Sequence, residues 1–259
     1  MTKLSIQKSR PGGRGAAAKR LVQTLLALTA LSASAGGIAA SAANMSGSGA
    51  ADAPGSASAA VRPAARSRWD FDVLLDDSPI GRHLFTITRN GDQTRVESIA
   101  AFDVKLLGLT VFRYRYEDHE QWSGACLVGM QSKTDDDGTP ERVDARPAPG
   151  GGLLVKAERK SKLTTTTLPG CVMSFAYWDP AMLRQTALLN GQTGKLTDVT
   201  IKPLPDAKVR VGSKTVEARR YSLTGGDYPL VLSYSPQGEW LALESTVSGG
   251  KRLRYQLRD

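Results

Sequence analysis

Two acidic side chains stand two positions apart in the longest alternating stretch of the sequence, Val111–Trp122. Side chains at this spacing lie on one face of a β-strand, so Asp118 and Glu120 would be roughly 7 Å apart. Four aromatic residues have the same parity and share that face: Phe112, Tyr114, Tyr116 and Trp122. A pair of carboxyl groups in an aromatic groove could perform the acid–base chemistry of glycoside hydrolysis.

A second interpretation gives this face no chemistry, and it is the one that we favour. The aromatic rings would belong to a hydrophobic core. Asp118 and Glu120 would then mark the place where the same face emerges into solvent near the end of the strand. The two interpretations differ in whether both carboxyl groups face one empty space.

Other candidates for nucleophilic catalysis are few. The sequence contains two histidines and no Gly-x-Ser-x-Gly motif, the motif that places a serine on a sharp turn beside a base. His83 has the parity of Phe85, so we predict that it is a partly buried, structural histidine. His119 shares a face with Arg115 and Glu117, and we expect that face to be solvated.

Neither a metal site nor a cofactor site is predicted. In Asp118-His119-Glu120 the histidine points to the opposite side of a strand from the two acids. The acidic run Asp135–Gly138 could offer oxygen ligands to calcium, but it lacks the later bidentate glutamate of an EF-hand loop. We interpret this run as a solvated hairpin turn. The sequence has no phosphate-binding or dinucleotide-binding glycine pattern.

Residues 1–43 have the composition of a secretory signal peptide. A basic start is followed by the apolar run Leu21–Leu31 and then by small residues with Ala-Ser-Ala cleavage patterns. The apolar run is shorter than the roughly 20 residues that cross a bilayer as a helix. We therefore expect cleavage, no membrane span in the mature protein, and a periplasmic or secreted location.

The net charge does not indicate nucleic-acid binding. Six of the 34 lysines and arginines lie in residues 1–43, which contain no acid, so removing this segment lowers the net charge from +9 to +3. Residues 44–68 are rich in Ala, Gly, Ser and Pro and lack large apolar side chains, which predicts a disordered linker. A single β-rich domain is expected over residues 69–259.

The sequence contains two cysteines, Cys126 and Cys171. In an exported chain, two cysteines more often bond to each other than remain free or bind a metal. We predict a disulfide that fixes the segment around Cys171 to the middle of the sheet and stabilises the fold by roughly 4 kcal/mol. Two separately buried thiols are the alternative.

From Trp69 onward, short alternating runs are separated by turn residues, a pattern that predicts an all-β antiparallel architecture. So many strands favour a curved sheet, in the form of a barrel or half-barrel, over a flat one. One short helix is predicted after Asp179, which would cap it ahead of Pro180, and it would continue to a stop signal at Asn190-Gly191. This helix could fill the concave face of the sheet.

Two sequence boxes carry a resemblance to a known family: Trp122-Ser-Gly-Ala-Cys126-Leu127 and Cys171-Val-Met-Ser-Phe-Ala-Tyr-Trp178. They resemble those of a bacterial family of exported domains of unknown function, and the resemblance covers about Trp69–Leu257. It implies no activity. More distantly, such proteins resemble curved-sheet envelope proteins of the lipoprotein-carrier kind, which hold acyl chains in a half-barrel. This second likeness is one of fold alone.

The leading hypothesis is an exported, non-catalytic β-domain that binds an apolar or amphipathic ligand, such as a lipid, on a concave aromatic face. The predicted ligand-binding residues are Phe112, Tyr114, Tyr116, Trp122 and Trp178. One alternative is a structural or interaction module of the cell envelope that contacts another envelope protein. The other is a carbohydrate-active enzyme that uses Asp118 and Glu120.

Overall fold

A computed structural model of the protein describes residues 66–226 and 228–259. The predicted signal peptide, residues 1–43, and all but the last three residues of the predicted linker, residues 44–68, lie outside the described residues. Most of the described residues belong to β-strands or tight turns. Within this described part, no helix is long and apolar enough to cross a bilayer.

The described residues form fifteen strands and two short 3-10 helices. The first eight strands are β1 (Arg68–Leu75), β2 (Ser78–Asn90), β3 (Gln93–Leu106), β4 (Leu109–Ser123), β5 (Cys126–Asp136), β6 (Thr139–Pro147), β7 (Leu153–Arg159) and β8 (Lys162–Leu168). The other seven are β9 (Ala187–Leu189), β10 (Leu196–Asp198), β11 (Thr200–Val211), β12 (Lys214–Thr224), β13 (Leu230–Tyr234), β14 (Trp240–Val247) and β15 (Lys251–Leu257). The 3-10 helices are Pro180–Arg184 and Ser248–Gly250.

Thirteen strands form one antiparallel sheet in the order β11-β12-β13-β14-β15-β1-β2-β3-β4-β5-β6-β7-β8. Except for β8 and β11, strands of this sheet that follow each other in sequence are neighbours, and β15 pairs with β1 inside the sheet. The sheet is open, with β8 and β11 at its edges, and β9 and β10 form a separate pair. Inward-facing residues from β1 to β15 join one hydrophobic cluster, so the sheet curves around a single core. The predicted all-β, curved antiparallel architecture is confirmed.

Alternation of polar and apolar residues produces this sheet, as β4 illustrates. Phe112, Tyr114 and Trp122 are buried on its inward face, whereas Arg113 and His119 are exposed on its outer face. Successive side chains of a strand point to opposite faces of the sheet. The same pattern therefore specifies both the strand and the face that meets the core.

The chain passes from one edge of the sheet to the other through residues 169–199, which we call the crossover segment. This segment lies against the concave face. The Leu127 amide of β5 donates a hydrogen bond to the Val172 carbonyl at 2.9 Å. The Tyr234 hydroxyl of β13 donates to the Tyr177 carbonyl, also at 2.9 Å. The crossover segment therefore bridges two strands that lie far apart in the sheet order.

The predicted helix after Asp179 is present but is shorter than expected and of the 3-10 type. It spans Pro180–Arg184, and the Asp179 side chain caps it by accepting a hydrogen bond from the Ala181 amide at 2.8 Å. The prediction that it continues to Asn190-Gly191 is wrong, because Ala187–Leu189 forms strand β9. Burial of this strand in the core outweighs the local preference for helix.

The predicted disulfide between Cys126 and Cys171 is also confirmed, with the two Cα atoms 5.0 Å apart. It joins the first residue of β5 to the beginning of the crossover segment, next to the hydrogen bond between Leu127 and Val172. The bonded cysteines are 45 positions apart in sequence. For a loop of that length, the chain-entropy model gives a stabilisation of about 4 kcal/mol.

Replacing both cysteines (Cys126→Ser with Cys171→Ser) is expected to lower the free energy of unfolding by about 4 kcal/mol, because the unfolded chain regains the entropy that the bond removes. Urea denaturation followed by circular dichroism measures the change. Wild-type protein under a reducing agent is the matched control and should show the same loss, whereas the serine variant should not respond to the reductant. A loss below about 1 kcal/mol would contradict the assigned role of the bond.

Candidate functional site

A cavity of about 100 Å³ lies between the concave face of the sheet and the crossover segment. Strands β2, β3 and β4 form one wall, strands β13, β14 and β15 form the other, and β1 runs between them. Residues 174–178 and 190–192 of the crossover segment cover the space. Its volume exceeds that of a single water site and approaches the roughly 150 Å³ of an engineered cavity that binds benzene.

Aromatic rings connect the walls and the cover of this cavity. The ring centroid of Trp240 in β14 lies 5.3 Å from that of Phe85 in β2 and 5.2 Å from that of Tyr177 in the crossover segment. Aromatic pairs at such distances attract each other beyond the effect of their buried area. Phe175, Tyr177 and Tyr228 also line the cavity and keep partial contact with solvent, so the cavity is not sealed.

The two acids of β4 are buried in the wall of the cavity, where Asp118 is 4% exposed and Glu120 is 6% exposed. Glu120 accepts a hydrogen bond from Trp122 Nε1 at 2.9 Å and is also hydrogen-bonded to the Ser174 side chain of the crossover segment. The Asp118 carboxyl group is hydrogen-bonded to the Tyr116 side chain and to the backbone amide of His119. Its Oδ1 atom is buried and has no hydrogen-bond partner among the described residues.

Burial controls the charge of this acidic pair. It raises the pKa of Asp118 well above its ordinary value, and the neighbouring Glu120 raises it further. Burial also raises the pKa of Glu120 to about 7, although the hydrogen bonds from Ser174 and Trp122 lower it. The pair is therefore at least partly protonated near neutral pH. Asp118 Oδ1 is left as an unused polar atom beside aromatic rings, at a cost of about 1–3 kcal/mol.

The expectation that Asp118 and Glu120 reach solvent near the end of their strand is wrong. Asp118 stands opposite Ser98 of β3 and Ser132 of β5, in the interior of a region where three strands are paired. The curvature of the sheet and the crossover segment together cover the inward face of β4 at Asp118 and Glu120. The parity of the two acids was predicted correctly, but their burial was not.

His83 is buried beside the acidic pair, as predicted for a structural histidine. Its Nε2 atom is hydrogen-bonded to Ser98 Oγ at 2.7 Å, and its Nδ1 atom lies 3.3 Å from the Tyr255 hydroxyl. Its ring stacks on Phe85 with a centroid distance of 4.1 Å. Burial lowers the pKa of His83 to about 3, so the imidazole is neutral. His119 is exposed on the outer face, also as predicted.

Two of the five residues that were predicted from the sequence to bind a ligand line the cavity: Tyr116 and Trp178. The other three, Phe112, Tyr114 and Trp122, are buried in the core beside it and do not form its surface. Trp122 supports the site from behind, because its ring contacts that of Trp178 edge-to-face at 5.5 Å.

Several lining residues were not predicted, among them Trp240, Tyr255 and the crossover residues around Tyr177. The alternation of Leu253, Tyr255 and Leu257 gave a usable signal of an inward face in β15. That signal could not place β15 opposite β4, because the placement depends on the pairing of β15 with β1.

A second group of buried charges lies outside the cavity. The hairpin turn predicted at Asp135–Gly138 is present, but the prediction that it is solvated is only partly right, because Asp136 points inward and is buried. Burial raises the pKa of Asp136 to about 6, and the nearby Glu141 adds to the shift. Glu141 is ion-paired with Arg159. Among residues 66–226 and 228–259, no three histidine, cysteine or acidic side chains are grouped as a metal site requires.

The raised pKa of Glu120 predicts a pH-dependent difference between wild type and Glu120→Gln. The folded protein holds a proton on Glu120 up to about pH 7, whereas the unfolded chain releases it near its ordinary pKa of 4.5. Wild type therefore loses more stability than the variant as the pH rises from about 4.5 to 7, because the variant keeps only the pH dependence of its other groups, the buried Asp118 among them. The free energy of unfolding of the variant minus that of wild type should rise by up to about 1.4 kcal/mol per pH unit in this window.

Urea denaturation at several pH values measures that difference, and taking the difference removes the opposite contribution of His83. Glu97→Gln, on the exposed outer face of β3, is the matched control for the loss of one carboxyl group. A difference that stays flat, or that falls with rising pH, would show that Glu120 is not held protonated by burial.

Comparisons with known proteins agree with this fold. A beta-barrel-like protein of a domain of unknown function, DUF1849, from Brucella abortus has a crystal structure that superposes with a TM-score of 0.54 at 15% sequence identity, covering 73% of this chain and 94% of that one. At such low identity the likeness concerns the fold alone. No curated protein matches the chain. The model of a family described as a domain of unknown function, DUF6134, matches residues 71–258, from β1 to β15, and the chain therefore belongs to the DUF6134 family.

Proposed function

We propose that this domain binds a small apolar or amphipathic ligand in the cavity between the sheet and the crossover segment, without catalysing a reaction on it. The observation that carries the proposal is the buried Asp118 Oδ1 atom, which has no partner among the described residues and belongs to a side chain that lines an aromatic cavity. A ligand that offers this atom a hydrogen bond would remove the cost of leaving it unpaired. The surrounding rings would hold an apolar body by the hydrophobic effect.

The charges in the cavity favour one kind of polar group on the ligand. Asp118 and Glu120 line the cavity together with the neutral His83, and no lysine or arginine is among the lining residues. A carboxylate or phosphate group would meet two acids and no basic partner. A hydroxyl, amide or ammonium group can instead donate to the acids, and an ammonium group would also interact favourably with the faces of the aromatic rings.

The volume of the cavity limits how much of a ligand it can enclose. At about 100 Å³ it is smaller than the roughly 150 Å³ cavity that binds benzene. The enclosed part would therefore be one small ring or the end of one short chain. A longer molecule such as a lipid would extend outward past Phe175, Tyr177 and Tyr228, which already contact solvent. A whole two-chain lipid does not fit.

The carbohydrate-active alternative requires both carboxyl groups to face one space, and Asp118 and Glu120 do line the same cavity. Hydrolysis also requires that one of them be ionised and that a sugar ring with its leaving group fit beside them. The enclosed volume of about 100 Å³ is small for a sugar ring with its leaving group. This observation favours binding over hydrolysis.

The envelope-module alternative remains a prediction, as does a periplasmic or secreted location. Native mass spectrometry of the protein purified from its own host tests the proposed function most directly. A co-purified molecule of the stated chemistry would support it. A stoichiometric protein partner in place of a small molecule would support the alternative.

A substitution that fills the cavity is expected to abolish binding. Val96 lines the cavity, so Val96→Phe should weaken the binding of n-octanol at least tenfold, or about 1.4 kcal/mol, measured by isothermal titration calorimetry on the full chain. Val96→Ile adds one methylene and is the matched control. Urea denaturation shows whether either variant is destabilised, since overpacking costs about 1–3 kcal/mol. Equal affinity in wild type and Val96→Phe would place the ligand elsewhere.

The charge of the ligand provides a second, independent test. Wild type is expected to bind n-octylamine at least tenfold more tightly than n-octanoate, because the cavity offers acids and no base to the head group. Asp118→Asn should reduce this preference. Binding of the ammonium form should strengthen as the pH rises through about 7, where Glu120 loses its proton. Tighter binding of n-octanoate in calorimetry would exclude the proposed contact with the acidic pair.

A further inference from the structure

The hairpin formed by the two longest strands, β3 and β4, ends in a cluster of exposed leucines. Leu106, Leu107 and Leu109 are 61%, 95% and 72% exposed. Single exposed leucines are common on protein surfaces, but three within four residues form an apolar patch. We call residues 105–110 the leucine tip.

The leucine tip projects beyond the strands on both sides of the hairpin. The pairing of β3 with β2 ends at Phe102 and Gly81, and the pairing of β4 with β5 ends at Tyr114 and Asp136. The Arg113 carbonyl still accepts a hydrogen bond from the Asp137 amide at 2.8 Å, and beyond Arg113 the two strands pair only with each other. All residues from Lys105 to Thr110 are exposed. At about 3.3 Å per residue, the turn lies roughly 15 Å beyond the last flanking pair.

The geometry of the turn does not explain the leucine at its centre. Leu107 and Gly108 have φ angles of 52° and 82°, as in a type I′ turn, whose first central position is normally Asn, Asp or Gly. A leucine in this left-handed region is disfavoured, because its Cβ approaches a carbonyl oxygen. Three other hairpin turns place polar residues or glycine at the two corresponding positions: Asp76-Asp77, Asp137-Gly138 and Lys160-Ser161. The requirements of the turn therefore do not account for leucine at position 107.

The leucine tip is positively charged, because Lys105 is the one charged residue among residues 105–110. From Asp103 to Arg115 the hairpin carries three bases and one acid. Asp103 accepts hydrogen bonds from Arg115 at 2.9 Å and from Arg113 at 3.4 Å. Lys105 is exposed directly beside the leucines. The end of the hairpin therefore combines an apolar point with a net positive charge.

We propose that the leucine tip inserts into the surface of a lipid bilayer that contains anionic lipids. An apolar element flanked by basic residues binds at the membrane interface, because its side chains leave water and its charges are attracted to anionic head groups. A projecting tip can reach this region while the rest of the sheet stays outside the bilayer. The proposal does not depend on the function of the cavity.

The area of the tip favours a bilayer over a protein partner. A stable protein interface buries about 800 Å² on each partner. Even a large aromatic side chain buries only about 150–250 Å², so three leucines provide less than such an interface needs. The tip is also convex and separated from the neighbouring strands, so no adjacent sheet surface can enlarge the contact. Insertion into lipid needs only the tip itself.

A single dye-labelled cysteine tests insertion on the full chain. The two native cysteines are bonded to each other, so Leu107→Cys provides one free thiol for an environment-sensitive nitrobenzoxadiazole dye. Vesicles of phosphatidylethanolamine and phosphatidylglycerol should shift the dye emission to shorter wavelength, and high salt should weaken the effect. The same dye on Leu196→Cys, at an exposed leucine of the crossover segment, is the matched control and should not respond. Because the readout is local, residues 1–65 do not affect its interpretation.

Leu107→Asn separates insertion from folding, because asparagine suits the turn better than leucine does. We expect it to keep or raise the thermal stability and to weaken vesicle binding at least tenfold, as expected for one leucine returned to water. Unchanged dye emission at position 107 in the presence of vesicles would overturn the proposal. Equal shifts at positions 107 and 196, or unchanged vesicle affinity of Leu107→Asn, would also overturn it.

Discussion

The fold depends on the route that the chain takes between the two edges of its open sheet. After β8 the chain must reach β11 on the far side, and the crossover segment takes the inner path across the concave face. An irregular backbone inside a protein must find partners for its polar groups. The Leu189 amide donates to the Met173 carbonyl at 2.8 Å, and the Asn190 side chain accepts from the Gln192 amide at 2.9 Å. The Cys126–Cys171 bond fixes the beginning of this path to β5.

The cavity follows from this arrangement, because it is the space left between the concave face of the sheet and the crossover segment. At one point the fit is very close: a Cβ atom on Gly191 would lie 2.5 Å from the Tyr116 hydroxyl. A short distance away, Asp118 and Glu120 meet open space. The covering segment removes both acids from bulk water, which raises their pKa values and leaves them without a basic partner in the cavity. The position of the crossover segment therefore determines both the packing around the cavity and the charge of the two acids.

The sequence predicted the features that depend on local pattern. Alternation assigned Asp118, Glu120 and Tyr116 to one face, and the cysteine count, together with the predicted export, predicted the disulfide. It could not predict burial at that face, because burial depends on sheet curvature and on the crossover segment, whose residues carry no periodic pattern. The helix after Asp179 was extended too far because the burial of β9 is a tertiary effect. Trp240 and Tyr255 were missed because the pairing of β15 with β1 leaves no local signal.

The pairing of β15 with β1 also constrains how the molecule can fold. Asp72 and Arg258, which are hydrogen-bonded across this seam, are 186 positions apart in sequence. The strands from β1 to β8 can pair in order as the chain lengthens. The edge of β1 that faces away from β2 stays unpaired until β15 has been made. Contacts between such distant residues slow folding and leave strand edges exposed for longer. An incomplete chain would carry an unpaired strand edge at the centre of the future sheet, and synthesis of the last strand is the step that closes it.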